Sequence, residues 1–119
     1  MVEVQLTEDA LNDLQDLDRS AQLVIFKGLV KLQTNSRERG QPLGKRRDGD
    51  LTTFRKLVVG DRTYRIIYRV QPDDTVVVVW VIAGRADDEA YGLAVSRLHL
   101  AGSAEAVLLA GELEVIWSR

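Results

Sequence analysis

Three apolar runs follow one another between Phe54 and Ile82, and the first two carry arginines at positions where a strand would bury side chains. They read Phe54-Arg55-Lys56-Leu57-Val58-Val59, Thr63-Tyr64-Arg65-Ile66-Ile67-Tyr68-Arg69-Val70 and Val76-Val77-Val78-Val79-Trp80-Val81-Ile82. Runs this short and this rich in β-branched and aromatic residues are strands. The punctuation at Gly60-Asp61-Arg62 and Gln71-Pro72-Asp73-Asp74 predicts an antiparallel meander near 51–59, 63–70 and 75–83. The third run is apolar throughout, so it is expected to be central or covered on both faces. An arginine in such a setting is expensive to desolvate, and a group of them points to an anionic ligand, phosphate above all.

Around the meander the periodicity changes. Val2 to Leu6 alternates as a short edge strand would, and Thr7 is placed to cap a helix whose first turn holds Glu8 and Asp9. Leu11, Leu14 and Leu17 form its apolar stripe. Ser20 is read as a second cap, opening a helix to about Gln33 with Leu23, Phe26 and Val30, beside Ile25, Leu29 and Leu32, as a wide buried face. The join between these helices is short enough to require a hairpin. Asn35 to Asp50 reads as a polar loop holding Arg37, Arg39, Lys45, Arg46 and Arg47, and Asp87 and Asp88 open a helix carrying Ala90, Tyr91, Leu93, Ala94 and Leu98. The expected fold is α+β: a small antiparallel sheet of about four strands against an N-terminal helical hairpin, with a C-terminal helix. Residues 1–98 form that domain. Residues 99–119 are an extension in which Ala104, Val107, Leu108, Leu109, Leu113 and Ile116 recur at helical spacing, suited to packing on the same domain or to self-association.

Composition excludes several classes. With 119 residues and 45% hydrophobic content the chain is sized for one core, and its lack of cysteine removes disulfides and thiol chemistry and suits the cytosol. Its longest apolar runs are too short to cross a bilayer. His99 is the single histidine, and the glycines near residues 40–49 lack phosphate-loop spacing, so neither metal nor cofactor is expected. Net charge is −2, yet residues 37–69 hold ten basic and four acidic side chains, a local +6. An island of that size can steer a polyanion on an acidic molecule. The plainer reading is a solvated surface balancing acids elsewhere.

The first hairpin allows a register argument, because opposed residues share a face. A three-residue turn at Gly60-Asp61-Arg62 opposes Leu57 to Arg65 and Arg55 to Ile67, placing Arg55, Arg65 and Arg69 together. A two- or four-residue turn inverts the parity, putting Lys56 with Arg65 and Arg55 beside Tyr64, Ile66 and Tyr68. The first separates charge from aromatics better and is preferred.

The helical hairpin, the run Phe54 to Val70, and an apolar strand leading into Ala83-Gly84-Arg85-Ala86-Asp87-Asp88-Glu89-Ala90-Tyr91 together resemble the RelE/ParE superfamily of type II toxins. The resemblance covers about Val2 to Leu98. It implies an endoribonuclease, an mRNA interferase of the RelE branch acting on the ribosome without a metal, held inactive by a cognate antitoxin protein. By position it assigns catalytic roles to Arg65, Arg85 and Tyr91, with Arg55, or Lys56 in the other register, as a further basic group. Arg37, Arg39, Lys45, Arg46, Arg47 and Arg69 would then contact RNA or the ribosome. Such chemistry needs a base for the ribose 2′-hydroxyl, a proton for the leaving 5′-oxygen and cations for the charged phosphorus, roles that arginine and tyrosine suit. The ParE branch, which inhibits DNA gyrase by binding, and a degenerate toxin that only binds an antitoxin are the alternatives. On the plainer reading, Tyr91 is a core tyrosine and Arg65 and Arg69 pair with Asp87, Asp88 or Glu89.

Overall fold

The computed structural model describes residues 2–46, 49–71, 75–84, 87–101 and 107–108. The elements are β1 (Glu3–Thr7), α1 (Glu8–Gln15), α2 (Arg19–Lys31), β2 (Gln41–Arg46), β3 (Gly49–Val59), β4 (Tyr64–Val70), β5 (Val76–Ala83), α3 (Asp87–Ala101) and β6 (Val107–Leu108). They form one mixed sheet in the order β2-β3-β4-β5-β1-β6, with the α1–α2 hairpin on one face and α3 on the other. Among the described residues, no helix is long and apolar enough to cross a membrane.

The helices begin where side chains satisfy their first amides. Thr7 accepts from Ala10 N at 3.1 Å, and Glu8 and Asp9 sit in the first turn as expected. The second cap is Asp18 rather than Ser20: its carboxylate accepts from Ala21 N at 2.8 Å and from the Ser20 hydroxyl at 3.0 Å. These bonds hold the Asp18 carboxyl below its usual range. On α2 the buried stripe is Ala21, Ile25, Gly28 and Leu29, followed by Leu32, while Leu23 and Val30 are exposed, against expectation. Only one stripe of a helix lying on a sheet is covered, and Gly28 lets α2 approach Ile66 and Val59 closely enough to make that stripe narrow.

The sheet departs from the expected four antiparallel strands in three ways. First, β1 is no edge: Val4 and Leu6 lie beside Val77 and Val79 in a parallel pairing, and β6 pairs Val107 with Thr7 and Leu108 with Leu6 on the other side. Val107 and Leu108 are therefore extended and not helical, because the open side of β1 offers ladder hydrogen bonds. The rest of the expected C-terminal helix lies outside the described residues, and α3 itself runs past Leu98 to Ala101. Second, the polar loop contains β2, which pairs antiparallel with β3 from Gln41↔Lys56 to Arg46↔Gly49. Third, β5 bulges against β4, since Ile67 faces Val81 but Tyr68 faces Val79. The extra residue sends both Trp80 and Val81 into the α3 layer and returns Ile82 to the hairpin layer.

As predicted, β5 is central and covered on both faces, with every residue from Val77 to Ile82 buried. Beyond Val79, where its pairing with β1 ends, side chains take over. Asp13 on α1 accepts from Ile82 N at 3.0 Å and from both terminal nitrogens of Arg97 at 2.7 and 3.0 Å, and Arg97 also donates to the Trp80 carbonyl at 3.0 Å. One ion pair thus fastens α1, β5 and α3 together. The Asp13 bond raises the Arg97 guanidinium above its already high range.

Candidate functional site

The loop between β3 and β4 has four residues. Gly60, Asp61 and Arg62 all take positive φ (64°, 53° and 69°), and the strands close at Val59↔Tyr64, with Val58↔Arg65 and Arg55↔Tyr68 following. The preferred three-residue turn is therefore incorrect, and the parity is inverted. Lys56, Arg65 and Arg69 share the α3 face with Phe54 and Ile67, whereas Arg55 lies on the hairpin face beside Tyr68. Segregating charge from aromatics misled because Arg55 does not need the basic face: backbone carbonyls receive it.

Those carbonyls belong to the segment leading into β2. Arg55 donates from Nε to Arg39 O at 2.8 Å and from Nη2 to Gly40 O at 3.1 Å. The Tyr68 hydroxyl shares its proton between Arg39 O at 2.7 Å and Ser36 O at 2.8 Å. Burial pushes the Tyr68 phenol above its usual range, and the Arg55 hydrogen bond and charge oppose the rise. Arg39 braces the same segment by donating to Thr34 O at 2.8 Å, and Arg37 donates to Gln71 O at 3.1 Å. Arg37, exposed, and Arg39, half-buried, thus hold local backbone. Lys45 and Arg46 lie on β2, while Arg47 and Arg85 fall outside the described residues.

On the α3 face the cations differ in setting. Arg65 is 9% exposed and donates from Nη1 to Arg62 O at 2.6 Å. The Arg69 guanidinium stacks 5.0 Å from the Phe54 ring centroid and 5.4 Å from that of Trp80, so its charge is held by aromatic faces. Tyr91, one turn into α3, lies on this face at 1% exposure, with its hydroxyl donated to Gly44 O at 3.2 Å. The fold therefore brings Lys56, Arg65, Arg69 and Tyr91 to one side of the sheet and leaves Arg55 on the other.

At the outer corner of this face opens a groove of about 780 Å³ where β2 stops short of β3. Lys31, Lys56, Arg62 and Arg65 line it, against one acid, Asp61. Lys31, the last residue of α2, and Arg62, in the turn, went unnoticed in the sequence. A helix-terminal lysine and a turn arginine look like ordinary solvated charges until the topology places them together. The site can hold an anion by several cations at once and limits its approach to one corner of the sheet.

The helical hairpin thus lies on one face of the sheet, with Lys56, Arg65 and Arg69 on the opposite face beside the following helix. The family described as ParE toxin of type II toxin-antitoxin system, parDE, matches residues 4–89. The chain belongs to that family. It is similar to a chain of the toxin-antitoxin complex RelBE2 from Mycobacterium tuberculosis, at 26% identity and TM-score 0.60, covering 71% of this chain and 98% of that one. It is also similar to an Escherichia coli RelE toxin with two arginines replaced by alanine, in the free state, at 26% identity and TM-score 0.64, covering 82% and 99%. The isolated E. coli RelE toxin shares the fold at 23% identity and TM-score 0.59, with 82% and 99% covered. No curated protein sequence matched the chain.

Proposed function

We propose that the chain is a RelE-like endoribonuclease that cuts messenger RNA on the ribosome in the cytosol, and that a cognate antitoxin protein silences it. The observation that carries this reading is the gathering of Lys56, Arg65 and Arg69 on one sheet face, beside a basic groove and the helix that bears Tyr91. A protein that acts by apolar contact alone has no need to hold an arginine at 9% exposure in a strand. The similarity at 26% identity to an E. coli RelE toxin supports the same reading, and the similarity to a chain of the RelBE2 toxin-antitoxin complex supports a protein partner.

In this reaction the ribose 2′-oxygen loses its proton and bonds to phosphorus, and the bond to the 5′-oxygen breaks as that oxygen takes a proton. A 2′,3′-cyclic phosphate and a 5′-hydroxyl result. Arg65 and Lys56 stabilise the pentavalent phosphorus and its oxygens. Arg85 acts at the leaving oxygen. Tyr91 serves as the base, which requires its bond to the Gly44 carbonyl to open when RNA enters. Arg37, Arg39, Lys45, Arg46, Arg47 and Arg69 steer and hold the polyanion, and Arg55 contributes by fixing the backbone of Arg39 and Gly40.

The ParE family match favours a second reading, inhibition of DNA gyrase by binding. Expressing the chain without its partner in a bacterial host and mapping RNA 5′ ends separates the two. Codon-phased cuts with intact DNA are expected; DNA breaks with intact messenger RNA reject the nuclease.

A further inference from the structure

Two glycines with positive φ bracket the start of β2, and the structure holds them for different reasons. At Gly40 (φ 65°) a Cβ would meet the Lys56 carbonyl oxygen, and the Arg55 guanidinium binds the carbonyls of Arg39 and Gly40, so the strand is rooted there. At Gly44 (φ 73°) a Cβ would meet nothing within 4 Å. Glycine suits this position through its left-handed conformation and not through packing, and it falls where the register with β3 slips between Pro42 and Gly44. The slip sets Leu43 at a bend in the strand.

Beyond that bend the sheet is two strands wide. Pairing of β3 with β4 begins at Phe54↔Arg69, whereas β2 pairs with β3 out to Gly44↔Leu51, Lys45↔Asp50 and Arg46↔Gly49. Residues 49–53 therefore have no partner on β4 in this register, and with residues 44–46 they form a ribbon whose ladder joins β2 to β3 alone. Such a ribbon is marginal in water unless something else holds it. Leu43 packs on the cluster that contains Phe54, Trp80 and Tyr91, and the Tyr91 hydroxyl donates to Gly44 O at 3.2 Å. That bond is long for a hydroxyl donor, and it ties the ribbon to α3 at the bend itself.

The phenol at the other end of the bond is 1% exposed, too enclosed to reach a ribose. We propose that the β2–β3 ribbon is a lid over Tyr91, hinged at Leu43 and Gly44 and latched by the Tyr91–Gly44 hydrogen bond, and that the chain passes between a closed form and an open one. The open form gives up one hydrogen bond and the Leu43 contact while the root at Gly40 and the pairing of β4 with β5 persist, so opening is local. The closed form keeps the phenol from RNA. That consequence rests on the proposed nuclease activity, whereas the opening itself does not.

The test uses the full chain without RNA and reads amide exchange together with nitration of tyrosine by tetranitromethane, located by mass spectrometry. In the wild-type chain, exchange at residues 44–46 and 49–53 is expected to depend little on low denaturant, while β4 and β5 show the steep dependence of global unfolding. Tyr91→Phe removes the latch donor and is expected to speed ribbon exchange about fivefold. Gly44→Ala, at a φ that residues with a Cβ adopt reluctantly, is expected to raise ribbon exchange and Tyr91 nitration about tenfold. Tyr68, enclosed on the other face by the Ser36 and Arg39 carbonyls, is the internal control, and its nitration is expected to stay unchanged. Unchanged ribbon exchange in both variants overturns the proposal. So does Tyr91 nitration that rises only together with exchange in β4 and β5, because the phenol is then reached by global unfolding. Should Gly44→Ala fail to fold, the wild-type chain decides: ribbon amides that open as steeply with denaturant as those of β4 overturn the lid. A chain that opens as expected but cuts no RNA strikes only the nuclease reading.

Discussion

At the scale of single residues, the arginines divide by what answers their charge. Arg55 is met by two carbonyls, Arg69 by two aromatic rings, and Arg65 by the Arg62 carbonyl at the rim of the groove. Arg65 is thus positioned to exchange a backbone partner for phosphate. If the proposed nuclease reading holds, Arg65→Ala is expected to reduce RNA cleavage by about two to three orders of magnitude, and Arg65→Lys to restore only part of it, because a lysine keeps the charge but loses the planar fork. Cleavage of a defined RNA under single-turnover conditions measures both. Tyr68 governs a different property. Its folded-state phenol titrates above the unfolded value, so its contribution to stability is complete below the unfolded pKa near 10 and is lost as pH rises through the higher folded value. Tyr68→Phe is expected to be less stable than wild type at pH 7 and to show a shallower decline above about pH 10, measured by denaturant unfolding across pH.

Elements are joined here by few contacts with large consequences. Gly40 is required where the chain enters β2: its φ is 65°, and a Cβ there would lie 2.2 Å from the Lys56 carbonyl oxygen. Gly40→Ala is expected to cost about 2 kcal/mol or more, with increased hydrogen exchange in β2, because both strain and backbone overlap must be relieved. The Asp13–Arg97 pair fastens the hairpin layer to the α3 layer through β5, with side chains 19% and 16% exposed. Asp13→Ala leaves the Arg97 charge and the Ile82 amide without that acceptor. A loss of about 2–4 kcal/mol is expected, read as a lower denaturant midpoint, with α3 the first element to lose exchange protection.

For the whole molecule, net charge and the proposed RNA binding point in opposite directions. The chain carries −2 overall, yet folding gathers Lys56, Arg65 and Arg69 on one sheet face, and Lys31 and Arg62 join Lys56 and Arg65 at one corner groove. Attraction to a polyanion is then local and sensitive to ionic strength. Binding to single-stranded RNA is expected to fall linearly in log K against log salt, with a slope of about −2 to −3 for three or four phosphate contacts. Fluorescence anisotropy over a salt series gives that slope, and combining Lys56→Ala with Arg65→Ala should bring it nearer to zero.

Strong local patterns made most elements legible in the chain itself. Thr7 with two following acids marked α1, the uninterrupted Val76 to Ile82 run marked a strand covered on both faces, and Tyr64-Arg65 with the Arg85 to Tyr91 spacing pointed to the toxin superfamily. What remained hidden depends on contacts between distant residues. Whether Arg55 or Lys56 joins Arg65 turns on one residue of loop length, and three consecutive positive φ values at Gly60, Asp61 and Arg62 decided for Lys56. Neighbours on both sides of β1, a β2 strand inside a polar loop, and the meeting of Lys31 with Arg62 likewise arise only when segments far apart in sequence pair. Periodicity reports which side chains seek burial, but register and adjacency are settled by the hydrogen bonds and charges of whichever segment arrives alongside.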